Sequence, residues 1–221
     1  MTGAPSAHWV LVVPVKGALG AKTRLGDGFD VERRGALAIA FARDTIGAAL
    51  AVDDVERVIV VTDAPELADL AGLARVSLLA EGGSRGLNAA ISAGVARARS
   101  ERWESGVAVL LGDLPALRPA DLASALAAAA AHPSAIVTDA DGSGTTLLTA
   151  AAGRDLVPLF GPGSAAAHRA GGAVPLDLPA GSTLRHDVDT PAALAAAVAM
   201  GVGEATAAAL AGIPSLPSAS T

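Results

Sequence analysis

The chain has 221 residues, of which 52% are apolar and only 2% aromatic, with a net charge of −6 and no cysteine. A domain of this length can bury enough surface to fold without disulfides, and a nucleic-acid-binding protein would instead show a basic stripe, often with stacking aromatics. The apolar runs are far shorter than the roughly 20 residues of a membrane span, and the first residues lack the pattern of a signal peptide. We therefore expect a soluble, cytoplasmic protein that binds neither nucleic acid nor a membrane.

Strand-like and helix-like segments alternate along the chain, which is typical of a mainly parallel sheet covered by helices on both faces. The predicted elements are, in chain order, strand Val10–Val15, helix Val31–Val52, strand Arg57–Thr62, helix Pro65–Gly72, strand Arg75–Leu79, helix Leu87–Trp103, strand Val107–Leu111, helix Pro119–His132, strands Ala135–Thr138 and Thr145–Ala150 as candidates for pairing, helix Ser164–Ala170, strand Val174–Leu178 and helix Pro191–Met200. We expect one α/β domain over residues 8–212 and a disordered tail over 213–221, which is rich in proline and small polar residues. Ligands of such folds bind beyond the carboxyl ends of the strands, so residues that follow strands are candidate site residues.

A basic loop follows the first strand. Lys16, Lys22 and Arg24 lie there with Gly17 and Gly20 between them. Three cations on a glycine-bearing loop could wrap a triphosphate, with backbone N–H groups as further donors. The loop does not match the P-loop motif, because one residue separates the second glycine from the lysine. The alternative is a solvated basic loop.

Three aspartates are the candidate metal ligands. Asp113 comes directly after the most apolar strand, and Asp187 and Asp189 form a D-V-D segment ahead of Pro191. Residues i and i+2 of an extended chain point to the same side, and two such carboxylates repel unless a cation bridges them. Oxygen ligands alone favour Mg²⁺ or Mn²⁺ over zinc. The alternatives are a turn aspartate at 113 and helix-capping aspartates before Pro191.

Weaker signals mark an anion pocket and a base-reading residue. Ser164 is predicted to cap a helix after Gly161, leaving free N–H groups for an anion, and Thr145 and Thr146 could add hydroxyls. Asn88, which opens a helix, could read the edge of a nucleobase. A plain cap or surface turn is the alternative in each case. The four histidines show no metal-ligand spacing, and no serine-hydrolase motif is present.

Taken in order, these motifs resemble one family. The set PVK-x₅-KTRL, GDLPAL, FGPGS-x₃-H and DVDTP-x-x-L resembles the CofC/FbiD guanylyltransferases of deazaflavin coenzyme F-420 biosynthesis, from about Val10 to Leu210. The resemblance implies a single-domain, three-layer nucleotidyltransferase fold of the glycosyltransferase-A type. It also implies that Asp113, Asp187 and Asp189 hold Mg²⁺, as two ions, that Lys16, Lys22 and Arg24 bind phosphates and act in catalysis, and that Thr146, Gly161 and Ser164 hold the acid substrate. Relatives usually carry Asp or Asn where this chain has Gly163.

The implied reaction joins GTP to a phosphorylated three-carbon acid and releases pyrophosphate. Because the attacking phosphate oxygen is already anionic, no general base is needed, and catalysis rests on positioning and charge neutralisation. Phosphoenolpyruvate is the expected acceptor because the alanine-rich chain resembles actinobacterial members, and 2-phospho-L-lactate and 3-phosphoglycerate are alternatives. The product would pass to the downstream F-420 transferase. Other readings are a molybdopterin guanylyltransferase, whose glycine-rich loop does not match here, a sugar-phosphate nucleotidyltransferase, and a non-catalytic nucleotide-binding regulator.

Overall fold

The computed structural model describes residues 8–16, 25, 30–82, 86–101 and 104–211. Within these, seven strands form one sheet in the order β3-β2-β1-β4-β6-β5-β7. The strands are β1 Trp9–Pro14, β2 Val55–Val61, β3 Val76–Leu79, β4 Gly106–Leu110, β5 Ser134–Thr138, β6 Thr145–Ala150 and β7 Val174–Pro175. The α-helices are α1 Val31–Leu50, α2 Leu87–Glu101, α3 Pro119–Ala129, α4 Ser164–Ala170, α5 Pro191–Met200 and α6 Glu204–Ala211, with 3₁₀ helices at Pro65–Gly72 and Thr183–Arg185.

Six of these strands run in one direction and β6 runs in the other. β6 is antiparallel to both of its neighbours, β4 and β5, whereas every other strand pair is parallel. The reversal follows from the short connection between β5 and β6, because parallel neighbours need a crossover of a dozen residues or more. The predicted mainly parallel sheet and the predicted pairing of the fifth and sixth strands are both confirmed.

Strand side chains alternate between two helical layers. On β1, Leu11 and Val13 belong to the core cluster that includes residues of α1 and α3. Val10 and Val12 belong to the opposite cluster, with residues of α2. At Gly94 of α2 a Cβ would clash with the side chains of Val12 and Val61, so the helix can lie this close to the sheet only with glycine there. The result is the predicted three-layer α/β fold.

The helix α6 was not predicted from the sequence. Its first N–H groups, those of Ala205 and Thr206, donate to the carboxylate of Asp44 in α1 at 3.0 and 2.8 Å. The cap therefore comes from a residue about 160 positions earlier in the chain, where no local pattern reveals it.

Other predicted elements differ from the structure mainly in where they end. β7 ends at Pro175 rather than Leu178, although the N–H of Leu176 still donates to the carbonyl oxygen of Ile136 at 2.9 Å. The predicted helix over Pro65–Gly72 is confirmed, and it has 3₁₀ geometry. The tail over 213–221 lies outside the described residues, and none of the helices that the structure describes is both long and apolar enough to cross a bilayer.

Candidate active site

A cleft of about 590 Å³ opens at one edge of the sheet. Its walls come from the residues that follow β1, β4 and β5 and from the beginning of the reversed strand β6. Since β6 is antiparallel to its neighbours, its first residues lie at the same edge as their carboxyl ends. This is where ligands bind in open α/β sheets.

Most of the predicted site residues that the structure describes line this cleft. They are Lys16, Asp113, Thr146, Gly161, Ser164, Asp187 and Asp189. Lys16 is exposed at the end of β1. Lys22 and Arg24 lie outside the described residues, so the basic loop that they would complete stays a prediction.

Asp113, Asp187 and Asp189 form one side of the cleft, which we call the aspartate wall. The N–H of Val188 donates to the carbonyl oxygen of Asp113 at 3.0 Å, which ties the D-V-D segment to the loop after β4. The side chain of Val188 is fully buried in a core cluster with Leu37. Its two neighbours in the extended segment therefore point the other way, toward the cleft.

The loop that carries Asp113 is fixed from two directions. A Cβ at Gly112 would lie 3.2 Å from Cγ2 of Val15 and 3.3 Å from the carbonyl oxygen of Pro14, so glycine lets this loop approach the end of β1 without crowding. On the other side, the N–H of Leu114 donates at 3.1 Å to the hydroxyl of Thr45 in α1. Position 113 is thus held by the sheet and by a helix.

The aspartate wall concentrates negative charge. The pKa of Asp187 is raised to about 7, chiefly by burial and then by repulsion from Asp113, Asp189 and Asp139. Within the described part of the chain, no group of three or more His, Cys, Asp or Glu side chains is close enough to hold a metal ion by itself. The donors are carboxylate oxygens alone, the chemistry that Mg²⁺ and Mn²⁺ prefer.

Thr146, Gly161 and Ser164 line the same cleft, and we call them the acceptor wall after the acid that is predicted to bind there. Thr146 is fully buried in β6, and Ser164 is 2% exposed at the start of α4. The hydroxyl of Thr146 donates to the carbonyl oxygen of Val137 over a long 3.4 Å. The N–H groups of Gly161 and Gly163 have no acceptor among the described residues, and both glycines line the cleft.

The predicted cap at Ser164 is wrong. The N-cap of α4 is Gly163, in the left-handed conformation with φ 74°. The N–H groups that were expected to be free have protein acceptors. The N–H of Ser164 donates to the carbonyl oxygen of Gly161 at 3.1 Å, and the N–H of Ala165 donates to the carbonyl oxygen of Ser143 at 3.1 Å. The reason is that the β5–β6 turn lies against the start of the helix.

The backbone at Gly163 explains the departure from the resembling family. Asn and Asp enter the left-handed region more readily than other residues with a side chain. The Asp or Asn that the family resemblance leads us to expect at this position is therefore compatible with the same backbone that Gly163 adopts here. Glycine at position 163 and the expected Asp or Asn can therefore adopt the same loop conformation.

Asp139 is a cleft residue that the sequence analysis missed. Its carboxylate accepts from the N–H groups of Ser143 and Gly144 at 2.9 and 2.8 Å, which closes the β5–β6 turn. Arg185 donates to the carbonyl oxygen of Asp139 at 3.0 Å from the outside of the turn. The turn composition, DADGSG, was the signal that could have revealed it.

His168 ends the FGPGS-x₃-H motif, but no role was predicted for it because it lacks metal-ligand spacing. Its Nε2 accepts from the N–H of Leu159 at 2.9 Å, and its Nδ1 lies 3.0 Å from the hydroxyl of Thr145. A backbone N–H can only donate, so Nε2 carries no proton and the neutral ring is protonated at Nδ1. Burial lowers the pKa of His168, in agreement with this neutral form.

Asn88 is not among the cleft-lining residues that the structure describes. Its side-chain amide bonds the backbone of Phe160 twice: Nδ2 donates to the carbonyl oxygen at 3.0 Å, and Oδ1 accepts from the N–H at 2.8 Å. This contact favours a structural role, and base reading stays a prediction.

Comparison with known proteins agrees with this architecture. Residues 40–175 match the MobA-like NTP transferase domain family. The phosphoenolpyruvate guanylyltransferase of Streptomyces scabiei is 52% identical over 208 residues, which cover 92% of this chain and 96% of the relative. The protein of the same name from Thermomonospora curvata is 46% identical over 214 residues, 96% of this chain and 93% of the relative.

Solved structures with low sequence identity share the fold. A putative nucleotide-diphospho-sugar transferase from Desulfovibrio desulfuricans G20 has a TM-score of 0.65 at 18% identity and covers 85% of both chains. A 4-diphosphocytidyl-2C-methyl-D-erythritol synthase has a TM-score of 0.58 at 14% identity, over 87% of this chain and 97% of that one. By fold and by sequence, this chain belongs to the MobA-like NTP transferase family and groups there with the phosphoenolpyruvate guanylyltransferases.

Proposed function

We propose that the chain joins GTP and phosphoenolpyruvate to give enolpyruvoyl-2-diphospho-5'-guanosine and pyrophosphate, in deazaflavin coenzyme F-420 biosynthesis. The observation that carries this proposal is that one cleft is lined by the aspartate wall, by the acceptor wall and by Lys16, which follows β1. The names of the relatives, which match over more than nine-tenths of the chain, support the choice of both substrates.

The chemistry needs positioning more than proton transfer. A phosphate oxygen of the acid attacks the α-phosphorus of GTP, a new P–O bond forms, and the bond to the β-phosphate oxygen breaks so that pyrophosphate leaves with the electron pair. The attacking oxygen is anionic, so no base has to remove a proton. His168 is consistent with this, because Thr145 and Leu159 occupy both of its ring nitrogens.

The chain's own charges would hold the nucleotide. Lys16 is exposed at the cleft, and the basic loop that follows would add Lys22 and Arg24 around the triphosphate. Cations in these positions would bind the phosphates in the ground state and offset the charge that develops on the leaving pyrophosphate.

Asp113, Asp187 and Asp189 would hold Mg²⁺, as two ions, and Mn²⁺ could replace it. When bound, the metal would neutralise charge on the triphosphate and the attacking phosphate. The raised pKa of Asp187 supports a cation at this wall, because a nearby positive charge offsets the repulsion between the carboxylates. Mg²⁺ is commonly held by one or two carboxylates plus substrate phosphates, which agrees with a wall that makes no complete metal site by itself.

The acceptor wall would hold the acid. Its hydroxyl and N–H groups suit a compact anion with a carboxylate and a phosphate on one carbon. Phosphoenolpyruvate and 2-phospholactate share that arrangement, so pocket shape would separate them by only ~1–3 kcal/mol. We propose a preference for phosphoenolpyruvate, with hand-over of the product to the downstream transferase, in the cytoplasm.

The test is pyrophosphate release from GTP with a panel of three acids: phosphoenolpyruvate, 2-phospho-L-lactate and 3-phosphoglycerate. ATP and CTP serve as nucleotide controls, and the downstream transferase is added to trap a labile product. We expect the highest kcat/KM with GTP and phosphoenolpyruvate, abolished by EDTA and restored by Mg²⁺ or Mn²⁺. A clear advantage for 2-phospholactate would overturn the acceptor, and the absence of turnover with every acid would overturn the reaction.

A further inference from the structure

The segment that leads to Gly161 and Ser164 of the acceptor wall lacks the regular backbone hydrogen bonds of a helix or a strand. Residues 151–163, all of which the structure describes, contain neither helix nor strand. Backbone N–H and C=O groups in such a segment still need partners when they are buried. At Leu159 and Phe160 these partners are side chains from two helices, α2 and α4.

Asn88 acts on Phe160 as a neighbouring strand would. It accepts from the N–H and donates to the C=O of the same residue, at 2.8 and 3.0 Å, from a position 72 residues earlier in the chain. The next residue along the chain is Gly161, which lines the cleft. The amide of Asn88 therefore fixes the direction in which the chain enters the acceptor wall.

His168 joins the same segment to β6. Its Nε2 holds the N–H of Leu159, and its Nδ1 bonds the hydroxyl of Thr145, the neighbour of Thr146 in β6. The ring also meets Phe160 edge-on, with ring centroids 5.0 Å apart. One buried side chain thus links the two elements that form the acceptor wall.

We propose that Asn88 and His168 are positioning residues for the acceptor acid, because together they fix the Leu159–Gly161 backbone against β6 and give the acceptor wall its shape before the acid binds. This inference rests on the proposed function, in which the acid binds at that wall. Because both amide atoms of Asn88 bond Phe160 and neither side chain lines the cleft, we expect neither to touch GTP; a base-reading Asn88 would instead raise the KM for GTP in Asn88→Leu. Their loss is therefore expected to weaken binding of the acid and to leave binding of GTP unchanged.

Two pairs of variants test the proposal. His168→Phe keeps a ring and removes both hydrogen bonds, whereas His168→Gln keeps an amide that can still accept from Leu159. Asn88→Leu removes both bonds to Phe160, whereas Asn88→Asp keeps the acceptor only. The matched controls are His132→Phe, beyond the end of α3, and Ser100→Ala, near the end of α2, since neither residue lines the cleft.

The measurements are KM for phosphoenolpyruvate, KM for GTP, kcat and the thermal unfolding midpoint. We expect the KM for the acid to rise about threefold to tenfold in His168→Phe and in Asn88→Leu, the size expected for loss of a buried hydrogen bond. The KM for GTP should stay within about twofold, and His168→Gln and Asn88→Asp should recover part of the loss. If a stronger variant does not fold, its milder partner must still shift the KM for the acid in the same direction.

Amide hydrogen exchange at Leu159 and Phe160 provides a readout that is independent of activity. Faster exchange with an unchanged KM for the acid would overturn the proposal, and so would a joint rise of both KM values. Failure of the proposed function is a separate outcome, because it would appear as the absence of turnover in the unaltered protein.

Discussion

The two sides of the cleft are held by different kinds of contact. The aspartate wall depends mainly on backbone and apolar contacts, such as the bond from Val188 to Asp113 and the buried side chain of Val188, together with one bond from the Leu114 N–H to the Thr45 hydroxyl. The acceptor wall depends above all on two polar side chains, Asn88 of α2 and His168 of α4, which bond the backbone of Leu159 and Phe160. The first wall presents charge on a rigid support, and the second presents a shape that side chains maintain.

This difference predicts that substitutions in the two walls have different consequences for activity and stability. Loss of the charge at Asp187 should remove chemistry and leave the fold intact, because burial and the neighbouring carboxylates oppose that charge. A change behind the acceptor wall should alter recognition and stability together, because those side chains satisfy backbone groups.

The largest effect is expected at the aspartate wall. Asp187→Asn should lower kcat on the order of a hundredfold or more, as for removal of one transition-state charge partner. The unfolding midpoint should stay the same or rise, because burial and three neighbouring carboxylates oppose the charge of Asp187. Enzyme kinetics and thermal unfolding check the two parts.

The control is Asp53→Asn, which replaces an exposed aspartate beyond α1 and away from the cleft and should change neither kcat nor the unfolding midpoint. Normal turnover in Asp187→Asn would contradict the role.

A second large effect is a coupling between protons and the metal. Since the pKa of Asp187 is raised to about 7 in the folded protein from an ordinary 3.8, the folded chain holds this proton more tightly than the unfolded chain. The resulting stability is fully present below about pH 4 and is lost as the pH rises through about 7. A cation that needs the carboxylate must displace the proton, so Mg²⁺ affinity should fall about tenfold per pH unit below about 7.

This coupling is measured by Mg²⁺ titration of the GTP complex between about pH 5.5 and about pH 8. Asp187→Asn should bind Mg²⁺ more weakly, and its affinity should depend less on pH. A Mg²⁺ affinity that is independent of pH in the unaltered protein would contradict a metal role for Asp187.

A smaller effect is expected where the β5–β6 turn borders the acceptor wall. In Gly144→Ala the new Cβ would clash with the carboxylate of Asp139, which must then release the N–H groups of Ser143 and Gly144. The expected cost is about 1–3 kcal/mol of unfolding free energy, with a severalfold rise in the KM for the acid. Gly47→Ala in α1 is the glycine control. A Cβ added at Gly47 would have no neighbouring atom within 4 Å, and alanine should stabilise the helix by ~0.5–1 kcal/mol. Equal effects of the two substitutions on denaturant unfolding would contradict this account.

Sequence reasoning worked best where the cause of a structure is local. The D-V-D spacing predicts two carboxylates on one side, and the structure places both in the cleft beside Asp113. Helix α5 begins at the predicted Pro191, because Thr190 caps it from the adjacent position. The alternation of apolar strands and helices likewise predicted the layers of the fold.

It failed where the cause is a contact between distant residues. Asp44 caps α6 from α1, and Asn88 bonds Phe160 from α2, so neither leaves a local pattern. The cap at Ser164 was misplaced by one residue because the left-handed conformation of Gly163 is a property of the folded loop. The sequence predicts no role for His168, because the histidine spacing matches no metal site and the partners of its ring are known only from the fold. These are the interactions that shape the acceptor wall.

The smallest predicted effect concerns the proton on His168. Its Nε2 accepts from the N–H of Leu159, so a second proton would place two donors against each other. Burial lowers the pKa of His168 below its ordinary value of 6.5. The stability that comes from the neutral ring is therefore fully present above pH 6.5, and it is lost as the pH falls through the lowered pKa of the folded protein.

Denaturant unfolding at a series of acidic pH values should show this loss in the unaltered protein and a weaker loss in His168→Phe. His132→Phe tests whether removal of any histidine has the same result, and an equal change in both variants would contradict the assignment. The acceptor wall, unlike the aspartate wall, would then be the side of the cleft that acid weakens by breaking its support.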